Sequence, residues 1–138
     1  MFSLLARNTV VPLLLRLMLA AIFIYHGWWL IGGPEHQWGA NWMPGQPAPV
    51  QLAAAWGQLL GGIAMLFGFL TRLAALGLIV IMAGAIYLVH LPNGFDIRNH
   101  GFEYNAAIVT MCLCLLLGGP GPFAVDRFVR LKRKKISV

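Results

Sequence analysis

Long apolar runs alternate with short polar or Gly/Pro-rich interruptions along this chain, and that alternation predicts its elements. Four runs stand out, at residues 10–31, 50–70, 73–91 and 102–117. Crossing about 30 Å of hydrocarbon takes roughly 20 residues at a rise of about 1.5 Å each. The first three runs reach that length; the fourth falls short and needs local thinning or flanking contacts to complete it. Only helices and closed barrels satisfy the backbone within lipid, and none of the runs has the two-residue alternation of a barrel strand. The reading is therefore an all-α membrane protein, a four-transmembrane-helix bundle. Small residues at Gly61, Gly62, Gly68, Ala74, Ala75, Gly77, Ala83, Gly84 and Ala85 are expected to let these helices approach closely.

The interruptions carry their own signals. Gly32 to Pro49 is rich in Gly, Pro and Trp and should be irregular, folding back toward the membrane surface. Trp28, Trp29, Trp38 and Trp42 match an interfacial aromatic belt. Only Thr71-Arg72 separates the second and third runs, which predicts a tight antiparallel hairpin. Leu91 to His100 holds Pro92 and Asn93-Gly94 as turn signals. Gly118-Gly119-Pro120-Gly121-Pro122 stops the fourth run, after which Val125, Phe128 and Val129 recur at helical spacing among basic residues. That pattern predicts a short amphipathic C-terminal helix on the membrane surface, within a basic tail at residues 122–138.

Composition strengthens the membrane reading. Of 138 residues, forming one domain over 1–138, 59% are hydrophobic and only 10% charged, against about 25% charged in soluble domains; the mean hydropathy is +0.76. The net charge of +6 does not point to nucleic acid, because six of the ten basic residues lie between Arg127 and Lys135, where they suit anionic lipid headgroups. Cys112 and Cys114 sit two apart on an expected helix and point in different directions, so they are packing residues and not a disulfide. Arg7 before an apolar run imitates a secretory leader. The run from Thr9 to Ile31 is too long for a leader core and has no small-x-small cleavage site, so it is expected to remain as the first helix.

Basic residues near helix ends set orientation. With both termini cytoplasmic, Arg7, Arg72, Arg127, Arg130, Lys132, Arg133, Lys134 and Lys135 all fall inside and only Arg98 outside. This N-in/C-in topology gathers His26, His36, His90 and His100, with Glu35, Asp96 and Glu103, at or beyond the outer helix ends. His26 and His90 lie inside apolar runs, where a polar group needs a partner. Glu103 opens the fourth run and suits the positive end of a helix dipole; His36 and His100 read as ordinary loop residues. Arg16, about 13 Å beyond Arg7 along a helix, needs a structural partner, with Gln58 and Asp126 as candidates.

Three kinds of site could use the outer cluster. A quinone head needs hydrogen-bond partners and a proton acceptor, which His and a carboxylate supply near neutral pH. A haem would use axial ligands such as His26 and His90. A metal would need three or four ligands, but no HxxxH, HExxH or CxxC spacing is present and no metal is expected.

Residues spread over nearly the whole chain, taken in order, resemble the DoxX family of small bacterial membrane proteins: Arg16-Leu17, Phe23, His26-Gly27, Gly61-Gly62, Gly68-Phe69-Leu70-Thr71-Arg72, Ala75-Leu76, Val89-His90-Leu91-Pro92-Asn93-Gly94-Phe95, Glu103-Tyr104, Gly119-Pro120-Gly121 and Asp126-Arg127. The resemblance implies a four-helix membrane bundle associated with redox systems. Family members include a subunit of thiosulfate:quinone oxidoreductase and proteins of sulfur, thiol or oxidative-stress metabolism. The chain departs from the family pattern at Gln58, where members often carry Glu, at Trp28-Trp29-Leu30, where a Lys is common, and at Ala124, where Ser is common. The missing carboxylate at Gln58 argues against a proton relay through the second helix.

These readings combine into an expected function: a membrane subunit of a quinone-linked oxidoreductase system. His26, His90 and Glu103 would be the reacting side chains, and His26, His90, Trp29 and Tyr104 would hold the quinone. Arg16, Gln58, Arg72 and Asp126 are assigned structural polar roles. The alternatives are a non-catalytic anchor that recruits a redox partner protein, as a homo- or hetero-oligomer, and a haem-binding membrane protein.

Overall fold

The computed structural model describes the backbone of residues 6–136 and the side chains of residues 8–130. The placement expected for Arg7, Lys132, Arg133, Lys134 and Lys135 concerns side chains outside those described. Among the described residues every regular element is helical. A wide turn, Ala6–Val10, leads into α1, Val11–Gly32; α2 is Ala48–Phe67. Next comes α3, Thr71–Ala85, prolonged through a wide turn at Ile86–His90 and a tight one at Leu91–Asn93. Glu103–Gly118 forms α4 and Val125–Ile136 forms α5. Three stretches, Asn8–Gly32, Ala48–Phe67 and Thr71–Asn93, are long and apolar enough to cross a membrane. The apolar α4, with 16 residues, spans about 24 Å at about 1.5 Å each.

Proline opens two of these helices, Pro12 in α1 and Pro49 in α2, where its missing N–H leaves no bond unmade. The second apolar run stops earlier than the expected residue 70. Gly68 (φ +67°) and Leu70 (φ +47°) are both left-handed, and the Phe69 N–H bonds back to the Ala64 carbonyl at 2.9 Å, closing α2 in the manner of a Schellman cap. Gly68-Phe69-Leu70 is therefore the turn. Thr71 and Arg72, expected to form it, instead open α3. A left-handed leucine costs about 1–2 kcal/mol. Asp126 offsets this from outside the turn, its carboxylate accepting from Leu70 N at 2.6 Å and Thr71 N at 2.8 Å.

The helices form a ring. α1 packs on α2, α2 on α3, α3 on α4, and α4 returns to α1. The α1–α2 contact depends on glycine: a Cβ on Gly27 would lie 2.5 Å from Leu59 N, and one on Gly62 would lie 2.8 Å from Ile24 N. The expectation that Gly77 and Gly84 do the same for α3 is corrected, since a Cβ on either would meet nothing within 4 Å. Those two glycines face open space. Ala75, by contrast, is fully buried.

The two ends of the ring differ. Toward the end holding the α2–α3 turn, Leu19, Phe23, Met65, Leu78, Ile108 and Leu115 fill the centre. There Arg16, 2% exposed, donates to four carbonyls: Met65 at 2.9 Å, Leu66 at 3.0 Å, Phe123 at 2.8 Å and Pro120 at 3.2 Å. Met65 and Leu66 lie in the last turn of α2, whose carbonyls lack their i+4 helical bonds and carry the negative end of the helix dipole. The guanidinium fork caps α2 and ties it to the segment after α4. A Cβ on Gly68 would fall 2.7 Å from the Arg16 guanidinium carbon, so glycine is required there on steric grounds as well as by its φ. Of the expected partners of Arg16, Gln58 is not engaged, and Asp126 serves the turn instead. Arg72 reaches the Leu117 carbonyl at a long 3.5 Å, at the end of α4.

Candidate functional site

At the opposite end, where residues 33–47 and 94–102 connect the helices, the ring does not close. A cavity of about 740 Å³ lies between all four helices, walled mainly by apolar side chains such as Ile22, Phe23, Leu30, Met82 and Ile108. Into this wall are set His26, His90, His100, Gln58, Asn105 and Tyr104, together with Trp29 and Trp42. Small ligands are usually held in such sites, of about 300–1,000 Å³, apolar with a few fixed polar groups.

The histidines acquire their tautomers from the backbone. His26 Nδ1 lies 2.8 Å from the Ile22 carbonyl one turn earlier in α1, and His90 Nδ1 lies 2.7 Å from the His100 carbonyl. A carbonyl oxygen only accepts, so Nδ1 carries the hydrogen in both rings and Nε2 holds the free lone pair. Gaining a proton on Nε2 preserves the Nδ1 bond and strengthens it. Each ring thus offers Nε2 as a hydrogen-bond acceptor.

Gln58 is 8% exposed and lines the cavity. Asn105, 6% exposed, has only a weak contact from Nδ2 to Met82 Sδ at 3.5 Å. Two amides therefore stand at the cavity wall, where a ligand or water could meet them.

Glu103 is placed differently from its neighbours in the sequence reading. It does not wall the cavity; its carboxylate accepts from Ile97 N at 3.1 Å and holds the 94–102 loop. In the same loop Asp96 accepts from Arg98 Nη2 at 2.6 Å and from Arg98 N at 2.9 Å. The guanidinium first, and the backbone N–H second, hold the Asp96 carboxyl below its usual range. His36 stays in the first loop, its Nδ1 donating to Trp29 O at 3.2 Å and its ring packing edge-on against the Trp29 ring. Trp29 and Tyr104 both line the cavity as well. Among the described residues no group of three or more His, Cys, Asp or Glu could hold a metal ion.

His100 and Gln51 matter more than their sequence suggested. His100 was expected as a plain loop residue, yet it lines the cavity and its carbonyl fixes His90. Gln51, 4% exposed, accepts at Oε1 from Trp42 N at 2.8 Å and Met43 N at 2.7 Å and donates from Nε2 to Gln46 O at 2.7 Å. Trp42 Nε1 returns a bond to Gln51 O at 3.1 Å. One side chain thus ties the first loop to α2 at the cavity rim. A signal was present in the sequence: Gln51 and Gln58 are seven residues apart, on one face of an apolar helix.

Comparison with known proteins fits this picture. Residues 11–91 match the family described as DoxX. The chain is 31% identical over 123 residues to the inner membrane protein YqjF of Escherichia coli strain K12, covering 87% of this chain and 92% of that one. It is 28% identical over 85 residues to an uncharacterized protein of Haemophilus influenzae, covering 61% of this chain and 56% of that one. No solved structure matches it. With more than half of the sequence inside the family match, and a relative of nearly equal length in an inner membrane, this chain is a membrane protein of the DoxX family.

Proposed function

We propose that the protein is an integral membrane subunit of a quinone-linked redox system, crossing a bacterial inner membrane four times with both termini in the cytosol. The cavity is its quinone site and faces outward. The observation that carries this reading is the cavity itself: apolar walls for a flat ring, with two imidazoles and two amides set into them. The excess of arginine and lysine at the α2–α3 turn and in the tail supports the orientation.

A quinone gains two electrons and two protons to become a quinol, and the reverse reaction returns them. The electrons are exchanged with a redox partner protein. His26 and His90 take or give the protons at Nε2, while Gln58 and Asn105 donate to the ring oxygens. Trp29 and Tyr104 hold the ring in place, and Glu103 acts on the chemistry only by holding the loop that carries His100. Anionic lipid meets the basic tail.

General acid–base groups contribute about 10²–10⁴-fold, so His26→Ala and His90→Ala should each lower quinone turnover in membranes by about 10²-fold at normal expression. Glu103→Gln should have a smaller effect. Unchanged turnover in both histidine variants would reject the site. A Soret band in the purified protein would favour the haem reading in its place.

The anchor reading draws on one feature of its own. Trp38 is 75% exposed and left-handed (φ +59°), with its carbonyl pinned by Trp56 Nε1 at 3.0 Å, which displays an indole on the first loop. Trp38→Ala would release a co-purifying redox protein if that indole docks it.

A further inference from the structure

A second apolar space runs beside the cavity. It is a groove of about 670 Å³ between α2 and α3, extending toward the turn end past Leu60, Leu73 and Leu70 to Val125. Ile81 belongs to both walls. Its Cδ1 occupies the notch left by Gly57, 2.8 Å from where a Cβ would stand. Cavity and groove are therefore one seam along α2 and α3, divided by a single branched side chain.

Three features distinguish this seam from ordinary helix packing. Gly77 lines the groove and Gly84 the cavity, and neither has an atom within 4 Å of its Cβ position, so the glycines create room instead of closing a contact. The cavity margin between the two helices includes exposed Val50, Ala53 and Val80, which opens it sideways toward lipid and not only toward water. The cavity end of the seam carries polar side chains, Gln58, Asn105, His26 and His90, whereas the groove is lined by apolar residues. A polar end joined to a long apolar channel has the shape of an amphiphile.

We propose that the α2–α3 seam binds the hydrocarbon tail of a membrane-borne amphiphile whose ring head lies among His26, His90 and Gln58, entering laterally between α2 and α3. This rests on the quinone reading for the nature of the head and adds the tail, the entry route and the residues that select them. Ile81 marks the junction of head and tail. Gly77 and Gly84 set the width of the channel. Because the tail comes from lipid of equal apolarity, it gains from fit and not from leaving water; a side chain that fills the channel removes that fit.

The test uses two photoreactive quinones in protein reconstituted into nanodiscs. One carries an azide on the ring. The other carries a diazirine at the end of a saturated tail long enough to run from Ile81 to Leu73, about 12 Å at about 1.5 Å per residue. Ring adducts are expected at cavity residues such as Trp42 and Tyr104, and tail adducts on Leu60, Leu73 and Gly77. Gly77→Leu is the decisive variant: its Cβ has no atom within 4 Å, its longer arm reaches into the groove, and leucine improves helix propensity, so the fold is retained. It should cut tail adducts in the groove about tenfold while leaving ring adducts within about twofold of wild type. Tail adducts spread evenly over the lipid-facing Leu14 and Leu113, or unaffected by Gly77→Leu, would overturn the seam while sparing the ring site. Absence of ring adducts in the wild type would overturn the quinone reading and this inference together.

Discussion

Arg16 shows how a residue that looks anomalous in the sequence can be ordinary in the fold. A charged group inside an apolar run demands a partner, and that much was legible. Its partners were not, because four main-chain carbonyls leave no trace in side-chain identity: those of Met65 and Leu66 are within its reach only because α2 ends at Gly68. The fork geometry matters as much as the charge. Lysine offers three donors from one point and cannot span carbonyls from both α2 and the segment 120–123. Arg16→Lys should therefore unfold at lower temperature than wild type, by about 2–3 kcal/mol, and Arg16→Met by more, since hydrogen bonds to charged groups contribute about 1.5–3 kcal/mol and buried carbonyls would be left unmatched. Thermal unfolding in detergent, followed by circular dichroism, measures both. Equal stability of Arg16→Lys and wild type would show that charge alone suffices. The histidines divide similarly: the apolar setting of His26 and His90 was readable, but the carbonyls that fix their tautomers come from Ile22, one turn away, and His100, across a loop.

Between elements, legibility followed backbone chemistry. Apolar runs located the helices, and the Gly-Pro cluster at 118–122 located the stop after α4. The end of α2 was misjudged because Leu70 adopts a left-handed backbone that its side chain disfavours, under the control of Asp126 from fifty-six residues further on. The first loop was expected to be irregular, and its second half is ordered by one glutamine. Gln51→Leu removes the acceptor for Trp42 N and Met43 N and the donor to Gln46 O, while the bundle core toward the turn end is untouched. Amide exchange over residues 36–46 should accelerate by about tenfold or more, because the loop's opening free energy falls by the roughly 1–2 kcal/mol that such bonds supply. Exchange in α1 should stay as in the wild type. A uniform rise across the whole chain would mean instead that Gln51 supports the bundle and not the loop.

At the scale of the whole molecule, the ring of four helices has one end filled by side chains and the other end hollow, and the direction in which the hollow end faces decides what the protein can do. Helix positions do not fix that direction; the distribution of basic residues does, through the lipid and the membrane potential. A cavity facing outward would exchange protons with the space outside the cell, and one facing inward with the cytosol. Single cysteines in a variant lacking Cys112 and Cys114 make the distinction. His36→Cys reports on the loop end and Val129→Cys, at a half-exposed position on α5, on the tail. In intact spheroplasts a membrane-impermeant maleimide should modify residue 36 at once and residue 129 only after the membrane is permeabilised. The reverse pattern would turn the molecule over: the same histidines and the same cavity would then load and release their protons on the cytosolic side, against the orientation that eight basic residues favour.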